Sequence, residues 1–154
     1  MNLKPRIALF RGTGVVSWLI KTQTRSEYSH AALVLPNTLD HVIESREFAG
    51  VQVRKLTEHE LRSVDFYAVP DMSDEQYDKV MEAARAELGA KYDYWSVARF
   101  LSKKPARQNN RWFCSEFVHK LLADAGHRLL NRVPSAEVPP AWLSYSPKTK
   151  HVTP

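Results

Sequence analysis

The chain has a single cysteine, Cys114, among its 154 residues. One cysteine excludes an internal disulfide and a thiolate-rich zinc site, and leaves Cys114 either an inert packed thiol or a reactive one. Glycine is also scarce, at 5 residues, which excludes fibrous and glycine-rich low-complexity classes. No run approaches the ~18 apolar residues needed to span a bilayer. The apolar stretch ending at Phe10 is cut by Arg11 and Gly12 before a signal-peptide core can form, so a cytoplasmic protein without export signal or helical anchor is expected. There is no internal repeat and no long Gly/Ser linker, so residues 1–154 read as one domain. Zinc-finger, helix-turn-helix and RNP-type signatures are missing too, and specific nucleic-acid binding is not expected.

What remains is an ordinary globular composition, 44% hydrophobic and 25% charged, on a chain long enough to bury a core without disulfides or metal. The net charge of +5 favours contact with anionic surfaces such as lipid headgroups or wall polymers, without naming one. Oligomeric state is not encoded in any pattern we can read.

Along the chain, strands are expected at Arg6 to Phe10, Tyr28 to Leu35, His41 to Ser45, Val51 to Arg54 and Ser63 to Val69. A short helix carrying Trp18 is expected over Val15 to Thr22, after the turn Gly12-Thr13-Gly14. Ser73-Asp74-Glu75-Gln76 is a capping-box signature, opening a helix that stops at Gly89. Lys91 to Leu101 reads as partly helical, and Ser102 to Asn110 as a basic loop. Cys114 to Ala125 is amphipathic, with Phe117, Leu121 and Ala125 on one face and Gly126 as its stop. The proline-rich tail from Val133 reads as extended. Strands precede helices, so the expected class is α+β with a mainly antiparallel sheet packed against helices.

The chemistry centres on Arg111-Trp112-Phe113-Cys114-Ser115-Glu116-Phe117-Val118, where a polar loop enters a helix. The first-turn amides and positive dipole end of a helix favour a thiolate, and the same amides can hold an oxyanion. The best-placed base is His30, a polar ring in the apolar strand Ser29-His30-Ala31-Ala32-Leu33-Val34-Leu35. A three-residue hairpin loop at Pro36-Asn37-Thr38 would set His30 directly across from Glu44, which could orient the imidazole. His41 should face away, and His59, His119, His127 and His151 fall in polar or helix-surface contexts. Tyr92 is a further candidate near the oxyanion, although aromatic packing explains it as well. Ser115 and Glu116 are read as helix-capping residues. A metal held by His30, Glu44 and Cys114 lacks any supporting spacing, and no cofactor is expected.

A Cys, a His and an orienting carboxylate are the parts for acyl transfer, here in the order His, Glu, Cys. With Phe10-Arg11-Gly12, Tyr28-Ser29-His30, Val42-Ile43-Glu44, Lys91-Tyr92-Asp93-Tyr94 and Trp112 to Phe117, the chain resembles the permuted papain-like cysteine hydrolases, the YiiX-like branch of the NlpC superfamily. The resemblance implies a circularly permuted papain-like fold and a Cys114-His30-Glu44 triad. It also implies cleavage of an amide or ester in a peptide, cell-wall fragment or lipid through a thioester acyl-enzyme. Lecithin:retinol acyltransferase-like proteins share the layout but carry Asn-Cys-Glu-His-Phe-Val at the nucleophile. Phe113-Cys114-Ser115-Glu116-Phe117-Val118 and a carboxylate third member favour hydrolysis over acyl transfer. The alternatives are a non-catalytic binding module of the same fold and a lecithin:retinol acyltransferase-like lipid acyltransferase.

Overall fold

In a computed structural model that describes residues 5–94, 97–98 and 111–153, the chain is α+β, built on a six-stranded antiparallel sheet. In chain order the elements begin with β1 (Arg6–Phe10), α1 (Val15–Thr24), β2 (His30–Val34), β3 (His41–Arg46) and β4 (Gly50–Lys55). Next come α2 (Glu58–Ser63), β5 (Asp65–Ala68) and α3 (Asp74–Ala86). Then follow β6 (Lys91–Tyr92), β7 (Arg111–Trp112), the helix we label α4 (Cys114–Asp124), two 3-10 segments and β8 (Lys150–Val152). The strand order is β4-β3-β2-β1-β5-β8, and β6 pairs with β7 as a separate parallel ribbon.

Strand β1 is buried along its whole length because both faces of the sheet are covered. Ile7, Leu9, Leu33 and Ile43 pack against α3 and α4 through Val80, Met81, Phe117 and Leu122. Ala8, Phe10, Ala32 and Val42 pack on the other face with Leu56, Val64 and Phe66. Strands buried on both faces lose the polar alternation of a half-exposed sheet, which is why β1 and β2 read as short apolar runs.

Three expectations need correction. The hairpin between β2 and β3 pairs Leu33 with Ile43 and Val34 with Val42, two residues out from the register of a three-residue loop. Asn37 takes a left-handed φ of 58° and Thr38 Oγ1 bonds back to Leu35 O, so the turn is longer. Ser63 closes α2 rather than opening β5, since Thr57 and Glu60 form a capping box that nucleates a helix there. The tail is not extended: Ser135–Glu137 and Pro140–Tyr145 are 3-10 turns that cover α4 before β8 joins the sheet edge. The expected basic loop at Ser102 to Asn110 lies outside the described residues, as do residues 95, 96 and 99–101 of the segment expected to be partly helical, whose first two residues, Lys91–Tyr92, are strand.

Candidate active site

Cys114 is the first residue of α4, after Phe113 in extended geometry. The first helical bond runs from Phe117 N to Phe113 O at 2.9 Å, so the Cys114 amide lies ahead of the ladder, at the positive end of the helix dipole. The lead-in is pinned: Ser45 Oγ and Asp93 N both donate to Trp112 O, and the Trp112 indole donates to Glu87 at 2.8 Å. Phe113 N donates to Glu116 at 3.4 Å, the capping role expected of Glu116. Ser115 does something else, donating from inside the core to Val138 O and tying the residue after Cys114 to the C-terminal segment.

His30 begins β2, and its Nε2 lies 2.7 Å from Glu44 Oε2. The two are diagonal neighbours rather than directly opposite, since the observed register shifts the pairing by two residues and so preserves the shared face. The bond to Glu44 assigns the proton to Nε2 and leaves Nδ1 as the nitrogen that can serve Cys114, which acts on the same ring. Burial alone would lower the proton affinity of His30. The charge of Glu44 and the ring's interactions with Cys114 and Glu44 outweigh it, and the imidazole is held above its ordinary value. Burial would likewise push Glu44 up, but His30 and Arg54 hold it below the usual carboxylate range.

Sequence reasoning missed what lies behind Glu44. Arg54 Nε donates to Glu44 Oε1 at 2.5 Å and Gln52 Nε2 reaches the same oxygen at 3.4 Å. The other two Arg54 nitrogens fork onto Glu60 at 2.8 and 2.9 Å, and Glu60 accepts the Thr57 amide. The alternation of Val51-Gln52-Val53-Arg54 and the Thr57 to Glu60 capping spacing were the available signals.

A cleft of about 220 Å³ runs past His30, Gly12, Ser17, Ile20, Tyr92 and Glu47. Glu47 keeps one carboxylate oxygen buried with no hydrogen-bond partner. Cys114 itself is 0% exposed, packed with Ile20, Tyr92, Val97 and Phe113. Tyr92 is thus beside the thiol, and burial together with the Cys114 and Glu47 charges holds its phenol protonated well above the usual range. Of the remaining histidines, His59 lines the cleft and His41 pairs with Asp40. His119 is not on the helix surface: it is fully buried, with Nδ1 on Ser135 Oγ at 2.7 Å, because it shares the Ser115 face of α4 one turn on. His127 is buried as well.

A family model described as permuted papain-like amidase enzyme, YaeF/YiiX, C92 family, matches residues 10–134. The chain belongs to this family. Residues 10–134 include β2, β3 and the Cys114 helix. A curated relative, Probable lipoprotein peptidase YaeF of Escherichia coli K12, is 26% identical over 83% of the chain, which spans 58% of that protein's length. The solved structure described as metalloprotein yiiX from Escherichia coli O157:H7 shares the fold at a TM-score of 0.70 and 21% identity, covering 98% of this chain and 96% of that one. The Cys114-His30-Glu44 set does not suit a cation here, since both Glu44 oxygens are taken by His30, Arg54 and Gln52. Among the described residues no cluster of three metal-ligating side chains occurs, and no helix is long and apolar enough to cross a membrane.

Proposed function

We propose that this permuted papain-like domain is a cysteine hydrolase that cleaves an amide or ester bond with Cys114 as nucleophile, His30 as proton carrier and Glu44 as its orienting partner. The observation that carries the reading is the 2.7 Å bond of His30 to the buried Glu44 carboxylate, on a ring whose proton affinity Cys114 also influences, with Cys114 itself at a helix N-terminus. The Cys114 thiolate attacks the carbonyl carbon, and the Cys114 amide supports the oxyanion that forms. As the bond to the leaving nitrogen or oxygen breaks, the Nδ1 proton of His30 passes to it and a thioester remains. Water then attacks the thioester, His30 takes its proton, and the thiolate departs as the acid is released.

Family membership supports an amide as the bond cleaved, and the name of the YaeF relative makes lipopeptides the first substrates to try. Peptides and wall fragments follow. The zero exposure of Cys114 favours one rival, a binding module of the same fold without turnover. The test is a panel of fluorogenic peptide, lipopeptide and ester substrates, with intact-mass detection of a thioester on Cys114. Turnover that disappears in Cys114→Ala supports the hydrolase. Tight ligand binding that survives Cys114→Ala, with no acyl adduct on any substrate, replaces it with the binding module.

A further inference from the structure

The groups around Glu44 form a line: thiol, imidazole, carboxylate, guanidinium, carboxylate. It runs Cys114, His30, Glu44, Arg54, Glu60, and it ends on the Thr57 amide at the start of α2. Arg54 is mostly enclosed, and its guanidinium lies 5.9 Å from the Phe10 ring, which also touches His30. Glu44 is completely enclosed, so Arg54 acts on it without water between them.

A base next to a buried carboxylate faces two demands. It must hold a proton to sustain the thiolate, and release that proton to the leaving group, which works best with a proton affinity near the operating pH. A bare Glu44 would bind the His30 proton too firmly. We propose that Arg54, set by Glu60, is a positioning residue that draws off part of the Glu44 charge and so weakens the hold of His30 on its proton. This rests on the hydrolase reading. The proton travels from His30 Nδ1 to the departing nitrogen or oxygen and is replaced from the water that hydrolyses the thioester, so Arg54 itself exchanges nothing.

The charged groups facing His30 and Glu44 come from every neighbouring element: Cys114 on α4, Arg54 on β4, Glu60 and His59 on α2, and Arg46, Glu47 and Tyr92 around the cleft. Among the described residues only Arg54 both touches Glu44 and carries a positive charge at all pH values of interest. Its removal therefore raises the affinity of His30 for its proton, and removal of Glu60, which leaves Arg54 with more of its charge for Glu44, lowers it.

The experiment is an NMR titration of the His30 ring in the intact chain, paired with iodoacetamide labelling of its single cysteine. In Arg54→Gln the His30 midpoint should rise by about one pH unit, a tenfold gain in proton affinity. In Arg54→Lys it should return most of the way, and in Glu60→Gln it should move down. Turnover in Arg54→Gln should fall while labelling, which needs the thiolate alone, does not. A midpoint that stays put or drops in a folded Arg54→Gln, or moves the same way in Glu60→Gln, overturns the proposal. Should Arg54→Gln fail to fold, the opposite shift required of Glu60→Gln decides. Failure of the hydrolase reading shows separately, as a His30 titration that does not respond to Cys114→Ala.

Discussion

His30 Nε2 stands 2.7 Å from Glu44 Oε2, and the carboxylate has no solvent-exposed surface. A buried carboxylate this close to an imidazole fixes the ring's tautomer and favours its charged form. Glu44→Gln keeps the shape and deletes the charge. The His30 titration should then fall toward the ordinary value of ~6.5, and turnover should drop by up to about 10⁴-fold, as when the acid of a triad becomes an amide. An NMR titration of the ring checks this, and an unmoved midpoint would reduce Glu44 to packing.

The same pair shapes stability against pH. Because His30 is raised in the folded state, its contribution is complete below the unfolded value of ~6.5 and fades as pH climbs toward the folded one. Because Glu44 is depressed, its contribution is complete above ~4.3 and fades as pH falls. The pair therefore stabilises most between about pH 4.5 and 6.5. Urea unfolding across pH should show a fall above that window, and His30→Phe should remove it.

Helix α1 packs against the thiol. That helix buries Ile20 against Cys114 while leaving Val15 76% and Trp18 60% exposed. Ile20→Ala should cost about 2 to 5 kcal/mol as a core truncation and speed native labelling of Cys114. Trp18→Ala should stay within about 0.5 kcal/mol and leave the labelling rate alone. Equal rates in both variants would show that α1 does not roof the nucleophile.

Gly50 holds the Tyr92 segment in place. Its φ is +73°, a Cβ there would sit 2.2 Å from Ala90 O, and Val51 N bonds that same carbonyl at 2.8 Å. Gly50→Ala has to move the backbone that leads into β6 and Tyr92. We expect a loss of roughly 1 to 3 kcal/mol, from positive-φ strain and overpacking, seen in thermal melts. Gly89→Ala, with a similar φ of +86° and open space around its Cβ, should suffer from strain alone and lose less.

Much of this was legible because local signals were strong. β1 was bounded by Lys4-Pro5 and Arg11-Gly12, α3 by its Ser73 cap, and α4 by Gly126. The same-face relation of His30 and Glu44 survived an error in register because a slip of two residues preserves the face, whereas a slip of one would not. What stayed hidden depends on tertiary contact. Arg54 reaches Glu44 only through the pairing of Glu44 with Gln52 across β3 and β4. His119 is buried only because the C-terminal segment folds back as 3-10 turns over α4. Nothing in a single sequence states that Ile20 and Tyr92 enclose Cys114.

The central claim is that Cys114 and His30 act as one unit, and the pH dependence of iodoacetamide labelling tests it most directly, in the native chain and in His30→Ala. A denatured control supplies the rate of the unprotected thiol. The account predicts labelling of the native chain with a midpoint well below the free-cysteine value of ~8.5, and loss of that low midpoint in His30→Ala. A midpoint at the ordinary value in both proteins would contradict it.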